Sequence, residues 1–313
     1  MTEEVAAPEV HQNGGGVTRV NERIWPLCEK IDRVGAGGSI TYGLPTGFPD
    51  LDVLTGGWQP GDLIVVAGAP SMGKSGLAMG FIFNAGLISD QRVVGVNVLE
   101  LDRDQYVARI LCHESRIDTS LFMRGLLSDD DYGRLASTAG YLNTAPLYLA
   151  DDCFDLPDVL LRFEKLSEEY GAELLILDSL NLVRVPDLPA DATRDHVVAT
   201  TIRELKVLAV RLCVPIMVTC SLSRVVNTRP GRRPELSDLR DSGEIENTAD
   251  VVIFVHRPEY WYGPVDKEGN SIEGYAELRL AKNRRGSPGV TQAHFQKECT
   301  RFEPTSGWKQ VAV

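Results

Sequence analysis

The chain has 313 residues, of which 43% are apolar and 24% are charged, so it is long enough to bury a sizeable core without disulfide or metal staples. This composition excludes collagen, coiled coils and wholesale disorder. The net charge of −12 excludes a protein that coats nucleic acid over its whole surface, so any contact with nucleic acid must be local.

The opening segment is polar and contains three consecutive glycines. It cannot bury enough apolar surface to offset the entropy of ordering, so residues 1–17 are predicted to be a flexible tail. The segment also lacks the basic-then-apolar layout of a signal peptide, and no apolar run approaches the roughly 18 to 20 residues that span a bilayer. These features predict a cytoplasmic protein that makes no membrane contact.

Apolar residues recur at helical spacing from residue 19 to residue 34, where glycines end the pattern. The pattern predicts a short amphipathic helix within residues 18–38. A helix of this length is marginal in water by itself. Its apolar face therefore needs a partner, which is either the following domain, residues 39–313, or a neighbouring subunit.

From residue 41 onward, short β-branched runs alternate with helical patterns. The strands are predicted at residues 63–67, 93–99, 174–177, 215–219 and 251–255, and the helices at residues 74–88, 104–115, 157–170 and 200–212. Alternation of this kind predicts an α/β fold with a mostly parallel twisted sheet and helices on both faces. After residue 255 the pattern changes to hairpins, with strands 275–281 and 290–295 predicted to pair antiparallel across the turn at 285–289.

One motif predicts phosphate binding. The pattern GxxxxGK[ST] is matched by Gly68, Ala69, Pro70, Ser71, Met72, Gly73, Lys74 and Ser75. It follows a predicted strand and opens a predicted helix, and glycines at these positions let successive backbone N–H groups turn toward phosphate oxygens. Lys74 is predicted to contact the β and γ phosphates, and the Ser75 hydroxyl to bind Mg²⁺. The simpler interpretation is a glycine-rich turn between strand and helix.

Two other predicted strands are followed by carboxylates. Asp178 ends the run Leu174-Leu175-Ile176-Leu177, where it is expected to hold Mg²⁺, although Asp is also common as a cap or turn residue. Glu100 follows the strand at 93–99 and is predicted to orient and deprotonate the attacking water. Asp102 and Gln105 already supply a capping box for the next helix, which leaves Glu100 free for chemistry.

Several further blocks carry a family resemblance. The blocks are 46–52 (TGFPDLD), 54–57 (LTGG), 70–75 (PSMGKS), 238–246 (DLRDSGEIE) and the basic run 282–286 (KNRRG). Their order and spacing resemble the C-terminal motor domain of DnaB-type replicative helicases, from about residue 20 to about residue 305.

The resemblance implies a RecA-like P-loop fold, in a ring of six subunits, with ATP at each interface and single-stranded DNA in the central channel. Lys74, Ser75, Asp178 and Glu100 keep the roles given above, with ATP and Mg²⁺ as the bound groups. Lys282 and Arg284 would contact the γ-phosphate bound by the neighbouring subunit, with Arg284 as the arginine finger. The resemblance also implies that the helix in residues 18–38 is a linker helix that docks on the adjacent subunit, and that a helicase loader or other replication proteins are partners.

Two regions are predicted to bind DNA. Residues 240–243 match the loop with which the family grips the DNA backbone, through Arg240, Asp241 and the Gly243 amide. Ahead of this loop, no acidic residue occurs between residues 221 and 234. This stretch contains four arginines, which are expected to line the path of an anionic strand: Arg224, Arg229, Arg232 and Arg233. A solvated loop is the alternative for this run.

The chain departs from the family pattern in three places. It has no room for the family's N-terminal collar, so stimulation of primase is not expected. Ser221 stands where the family usually has a glutamine thought to sense the γ-phosphate, and a serine has a shorter reach. Asn181 replaces a second glutamine. Coupling of hydrolysis to movement is expected to be weaker, or to run through Ser223 or Arg224.

These departures leave alternatives to a ring-shaped translocating helicase that unwinds DNA in replication. The first is an ATP-binding helicase paralogue or regulator that assembles on DNA or on a partner helicase without unwinding. The second is a relative of RecA-type recombinases or clock proteins, which the block at 238–246 argues against. For the adenine pocket, the sequence indicates only that Tyr260, Trp261 and Tyr262 could stack on a base or pack in a core.

Overall fold

The computed structural model describes residues 18–37, 41–85, 87–88, 90–189, 191–223, 226 and 228–305, without the side chains of residues 30, 33–37 and 240–242. The chain divides into two compact units, Met1–Ser39 and Ile40–Val313. The predicted flexible tail and Arg224 lie outside the described residues. In the part of the chain that is described, no helix has the length and apolar composition needed to cross a membrane.

The described part of the first unit contains the helix α1, Asn21–Gly37. The helix runs past the glycines that were predicted to end it. A glycine inside a helix costs only about 1 kcal/mol relative to alanine, so it weakens a helix without forbidding it. The prediction of a helix is confirmed, whereas its C-terminal boundary was placed too early.

The second unit is built on one nine-stranded sheet with the order β3-β2-β4-β5-β1-β6-β7-β8-β9. The strands are β1 Leu63–Gly68, β2 Val94–Val98, β3 Leu147–Ala150, β4 Leu174–Asp178, β5 Ile216–Ser221, β6 Val251–His256, β7 Tyr275–Asn283, β8 Gly289–Gln296 and β9 Arg301–Pro304. Strands β1 to β6 pair parallel, and β7 to β9 pair antiparallel. The predicted fold class and the antiparallel C-terminal hairpin are therefore confirmed.

The helices of this unit are α2 Pro49–Thr55, α3 Lys74–Phe83, α4 Arg103–Ser115, α5 Thr119–Met123, α6 Asp129–Leu142, α7 Leu156–Glu168, α8 Arg194–Leu212, α9 Gly243–Thr248 and α10 Pro258–Tyr262. The Asp102 side chain accepts a hydrogen bond from the Gln105 amide, so α4 begins at the predicted cap. Helix α3 ends five residues earlier than predicted. Leu87 and Ile88 lie beyond its end and are buried. Their apolar side chains extended the helical pattern in the sequence although the helix itself stops at Phe83.

Two hydrophobic clusters cover the two faces of the sheet. Alternate residues of β1 enter different clusters, with Ile64 and Val66 in one and Leu63, Val65 and Ala67 in the other. Burial on both faces explains why the parallel strands are continuous apolar runs rather than alternating ones. This is the signal that made them recognisable in the sequence.

Several elements were not predicted, because their local signals are weak. Strand β3 has four residues, only one of which is fully buried. Helix α6 has no fully buried residue, and it begins with a capping box formed by Ser128 and Asp131. Elements at the periphery of a fold bury little surface, and hydrophobic periodicity cannot reveal them.

The ends of the strands form two opposite rims of the sheet, which are here called its two edges. Strands β1, β2, β4, β5 and β6 all end at the same edge, because they are parallel. Strand β7 runs the opposite way, and its register pairs Val252 with Lys282 and Val251 with Asn283. The C-terminal end of β7 therefore lies at the edge where β1 and β6 begin. Strand β1 has six residues, and at about 3.3 Å per residue the two edges are roughly 17 Å apart.

Candidate nucleotide and DNA sites

The segment between β1 and α3 has the geometry of an anion cradle. Ser71 and Gly73 both have positive φ, at 63° and 92°, which turns neighbouring N–H groups inward. Gly73 is the N-cap of α3, and no side chain caps the helix there. A Cβ on Gly73 would lie 2.8 Å from the Phe302 ring, so the position requires glycine on both conformational and steric grounds. The first amides of α3 remain available for phosphate oxygens.

The Lys74 side chain is folded over this cradle. Its ammonium group donates to the backbone oxygen of Ala69 at 3.3 Å. Burial lowers the pKa of Lys74, and the charges of Glu100 and Asp178 partly oppose that effect. A partly desolvated cation in this position gains strongly from a polyphosphate placed in the cradle.

Asp178, at the end of β4, faces the start of α3. Its carboxylate accepts hydrogen bonds from the hydroxyl groups of Thr219, at 2.5 Å, and of Ser75. Burial raises the pKa of Asp178, and the two hydroxyl groups partly lower it again. A buried carboxylate beside a serine hydroxyl presents the oxygen ligands that Mg²⁺ prefers. The residues predicted to hold the metal are thus adjacent, and their chemistry fits it.

Glu100 follows β2 at the same edge, where β2 and β4 pair through Val98 and Asp178. The Ser179 hydroxyl donates to a Glu100 carboxylate oxygen at 2.8 Å. Ser179 is fully buried, so this bond orients the carboxylate from a rigid support. Ser179 was not predicted, although its position directly after Asp178 places it at the same strand end.

A cavity of about 540 Å³ opens in front of these groups, a size typical of small-ligand sites. Its lining includes the predicted residues Ser71, Gly73, Lys74, Ser75, Glu100, Asp178 and Tyr260. The lining residues that were not predicted come from α3, α4, α5, the end of β6, β8 and the turn between β8 and β9: Gly76, Arg109, Thr119, Arg257, Phe295, Lys297 and Thr300. Of the three aromatic residues considered for the adenine, only Tyr260 is among these lining residues.

Arg257, one of the residues that were not predicted, makes contacts with the cradle, with Glu259 and with Phe295. It follows the buried strand β6, as Glu100 follows β2, and this position was the available signal. Its guanidinium donates to the Ser71 oxygen at 3.3 Å and to Glu259 at 2.6 Å, and it lies 3.7 Å from the centre of the Phe295 ring. The phosphate cradle is therefore tied to the end of β6.

Lys282 and Arg284 lie at the opposite edge of the sheet, level with the beginning of β1. Lys282 donates to the backbone oxygens of Glu246 and Asn247, at 2.5 and 3.1 Å. Arg284 donates to the Asn247 oxygen at 2.8 Å and to the Asp250 carboxylate at 3.2 Å. Neither side chain lines the cavity in its own chain, which the separation of the two edges explains.

The predicted DNA loop, residues 240–243, consists of the last three residues of a 3-10 helix, Leu236–Ser242, and the first residue of α9. The side chains of Arg240 and Asp241 lie outside the described residues. Gly243 is exposed, and nothing lies within 4 Å of the position its Cβ would occupy. Lys282 and Arg284 contact the other end of the same helix.

The expectation that the arginine run has no acidic partners is wrong for Arg229 and Arg233. Acidic partners come from outside the run: Arg229 forms two hydrogen bonds to Asp238, at 2.6 and 2.9 Å, and Arg233 forms two to Glu277, at 2.7 and 3.1 Å. Arg232 lies 4.6 Å from the centre of the Trp261 ring. Arg233 and Glu277 are 44 residues apart in the chain. The search for acidic residues between positions 221 and 234 therefore could not find this pair.

The two positions that depart from the family pattern are in contact. The backbone amide of Ser221 donates to the Asn181 side-chain oxygen at 2.7 Å. Ser221 ends β5 and is paired with Gly68 at the end of β1. The contact holds the Asn181 side chain at the end of β5. Weaker coupling of hydrolysis to movement through Ser221 stays a prediction.

Comparison with known proteins identifies relatives of the second unit. A family model described as the DnaB-like helicase C-terminal domain matches residues 43–304. The chain is 35% identical over 266 residues to the replicative DNA helicase DnaC of Bacillus subtilis (strain 168) and 36% identical to DnaB of Geobacillus stearothermophilus, covering 85% of this chain and 57% of each relative. It is 36% identical over 291 residues to DnaB of Pasteurella multocida (strain Pm70), covering 92% of this chain and 60% of that one.

Solved structures agree with this result. An ATPase domain superposes with a TM-score of 0.83 at 27% identity, covering 93% of this chain and 100% of the other. A DnaB-like replicative helicase, studied for its interactions with primase, superposes with a TM-score of 0.80 at 27% identity, covering 93% of this chain and 68% of the other. The chain therefore spans little more than half the length of the curated relatives above.

Proposed function

Because the chain belongs to the DnaB-like helicase C-terminal domain family, we propose that it is an ATP-hydrolysing motor that assembles as a ring, with six subunits, around single-stranded DNA. It translocates on that strand and unwinds duplex DNA in replication. Its substrates are ATP and DNA, its metal is Mg²⁺, and its partners are further copies of the chain and the proteins that load it.

Within one subunit, each residue at the strand ends has a distinct task. The cradle amides up to Gly73 and the Lys74 ammonium bind the β and γ phosphates. Ser75 and Asp178 hold Mg²⁺, which supplies neutralisation of phosphate charge when bound. Glu100, oriented by Ser179, accepts the proton of the water that attacks the γ-phosphate in line.

The remaining charge neutralisation comes from the adjacent subunit. Lys282 and Arg284 of that subunit contact the γ-phosphate, and Arg284 stabilises the charge that develops on the transferred phosphoryl group. A finger of this type contributes a factor of ~10³ to 10⁵ in rate. The DNA backbone is held by Arg240, Asp241 and the amide of Gly243, which precede and begin the helix that Lys282 and Arg284 contact.

One observation carries the proposal of a ring. The antiparallel direction of β7 places Lys282 level with the start of β1, roughly 17 Å from the phosphate cradle at its other end. A cation at that distance cannot contact the nucleotide of its own chain. The site is complete only when a second copy presents its β7 end to the cavity, and a repeated head-to-tail contact of this kind forms a ring when the rotation between copies closes.

A non-unwinding regulator is the second candidate, and Ser221 is the observation that favours it. In the family a glutamine at this position is thought to report the γ-phosphate to the DNA loops. Here the strand end contacts Asn181 instead. A protein that binds ATP and assembles on DNA without coupling the two would tolerate this change.

Three measurements on the purified chain separate these functions. A motor hydrolyses ATP faster with oligo(dT), displaces the strand of a forked duplex, and forms rings with a slowly hydrolysed ATP analogue in electron micrographs. The matched control is Lys74→Ala, which should lose hydrolysis and strand displacement. Rings or DNA binding with no strand displacement and no stimulation would support the regulator, and filaments would refute the ring.

A further inference from the structure

Three arginines that precede the predicted DNA loop share an arrangement that direct DNA binding does not explain. Arg229, Arg232 and Arg233, here called the arginine brace, each have a specific partner within the chain. Two of these partners lie near residues that line the nucleotide cavity, and the third lies two residues before the predicted DNA loop, residues 240–243.

The first contact joins Arg233 to β7. Glu277 accepts two hydrogen bonds from the Arg233 guanidinium. The Glu277 side chain is only 5% exposed, whereas the Arg233 side chain is 59% exposed. Glu277 is paired across the sheet with His256, the residue before Arg257, which lines the cavity and donates to the phosphate cradle. Moving the Arg233 guanidinium to a DNA phosphate would leave a buried carboxylate without its cation, which is strongly unfavourable.

The second contact joins Arg232 to α10. Its guanidinium stacks over the ring of Trp261 at 4.6 Å. Trp261 packs edge-on against Tyr260, with 4.9 Å between the ring centres, and Tyr260 lines the cavity. Arg233 thus binds the residue paired with His256, which precedes the cavity residue Arg257. Arg232 stacks on the residue that packs against the cavity residue Tyr260.

The third contact joins the brace to the DNA loop. Arg229 forms two hydrogen bonds to Asp238, and the Asp238 side chain is only 2% exposed. Asp238 also accepts from the Glu235 amide at 2.7 Å, and it lies two residues before Arg240. These bonds therefore fix the position of Asp238, just before the predicted DNA loop at residues 240–243.

We propose that Arg229, Arg232 and Arg233 are positioning residues that couple the nucleotide cavity to the DNA loop, and that they do not bind DNA phosphates. The coupled path runs from the cavity through Glu277 and Trp261 to the brace, and from the brace through Asp238 to the loop. It bypasses Ser221, where the family's coupling residue is absent. This inference rests on the proposed function, because it requires that the chain bind both a nucleotide and DNA.

The physical basis is the rigidity of the contacts. A bidentate pair between a guanidinium and a carboxylate fixes both distance and orientation, so a shift of Glu277 moves Arg233 with it. The stack of Arg232 on Trp261 fixes the same segment at a second point. A displacement at the end of β6 or in α10 is therefore passed to the loop rather than absorbed by a flexible linker.

The test measures two properties of oligo(dT) binding, namely the tightening caused by a slowly hydrolysed ATP analogue and the slope of log affinity against log salt. The variants are Arg233→Met, Arg233→Lys, Glu277→Gln and the Arg233→Met and Glu277→Gln double variant. The matched control is the ion pair between α7 and α8, removed by Arg211→Met or by Glu164→Gln. Circular dichroism confirms that each variant is folded.

A brace predicts that the analogue tightens binding about 5- to 150-fold in the wild type and in the controls, but less than about 2-fold in each single variant. The double variant should be no worse than either single one, since both break the same contact. Arg233→Lys should also lose coupling, because an ammonium cannot replace the bidentate fork. The salt slope should stay unchanged throughout.

Direct DNA binding predicts the opposite pattern and would overturn the proposal. Arg233→Met would then lower the salt slope by about 0.7, the value for one single-strand phosphate contact. Arg233→Lys would retain binding, and Glu277→Gln would leave it unchanged or strengthen it. If the wild type neither binds oligo(dT) nor hydrolyses ATP, the proposed function fails and the brace fails with it. Normal DNA-stimulated hydrolysis with unaltered coupling in the variants refutes the brace alone.

Discussion

Mixing two inactive variants tests whether the ATP site is shared between subunits. Lys74→Ala removes the cation of the phosphate cradle, and Arg284→Ala removes the proposed finger at the other edge of the sheet. Each homogeneous variant should lose hydrolysis, with a factor of ~10³ to 10⁵ for the finger. An interface with a cradle from the Arg284→Ala subunit and a finger from the Lys74→Ala subunit is intact.

The recovered activity has an upper limit set by the geometry alone. If a fraction f of the subunits carries Arg284→Ala and the subunits assemble at random, an interface is intact with probability f(1 − f) in any head-to-tail ring. The maximum is about one quarter of the wild-type sites, at equal amounts of the two variants. A finger that acted within its own chain would yield no recovery, since every chain would lack one of the two groups.

The assay is single-turnover hydrolysis after the two variants are dissociated, mixed and reassembled. A single turnover counts intact sites and does not depend on concerted rotation around the ring. The control is a Lys74→Ala and Arg284→Ala double variant mixed with either single variant, in which no interface can be restored. Recovery that follows f(1 − f) supports the shared site. No recovery at any ratio would refute the finger in trans, and with it the ring.

Three further predictions concern the metal, the pH dependence and a helix cap. Asp178→Asn should reduce the tightening of ADP binding by Mg²⁺ about 10-fold or more, since even outer-shell partners contribute 10- to 100-fold, and an unchanged Mg²⁺ dependence in nucleotide titrations would contradict its role. Burial lowers the pKa of His256 to about 4, so the unfolded chain takes up the proton first as the pH falls below about 6.5, and the free energy of unfolding should drop by about 2 kcal/mol between pH 7 and pH 5 on this account. Denaturant titrations should show a drop about 2 kcal/mol smaller in His256→Gln than in the exposed-site control His196→Gln, because His113, whose pKa burial also lowers, remains in both variants; equal drops in both would exclude the assignment. Ser128→Ala should cost about 1 kcal/mol of stability because it removes the capping box of α6, whereas Ser137→Ala within the same helix should change the denaturation midpoint little.

Much of the nucleotide site could be predicted from the sequence because its residues follow a local rule. In a parallel sheet, the residues at the carboxyl ends of buried strands meet at one edge, so the apolar runs and the GxxxxGK[ST] pattern together made the cradle after β1, Glu100 just beyond β2 and Asp178 at the end of β4 recognisable. The same rule would have found Arg257 after β6. It could not find Arg109 or Lys297, which reach the cavity from a helix and a hairpin turn that carry no such signal.

The arginine brace shows the limit of local patterns. A count of charges between residues 221 and 234 indicated free cations, yet Arg229 and Arg233 are paired with Asp238 and Glu277. The partner of Arg233 lies 44 positions away along the chain. No periodicity or spacing encodes such a pair, because it depends on which strand the segment packs against.

The amino-acid sequence by itself determined the class of this fold and the chemistry of its cradle, since burial, helix capping and glycine conformation are properties of short segments. Only the tertiary structure decided that Lys282 and Arg284 lie across the sheet from that cradle. Their distance from it depends on the direction of β7 relative to β6, which the apolar pattern of β7 does not determine. The direction of one strand therefore decides that these two residues and the cradle do not meet within one chain.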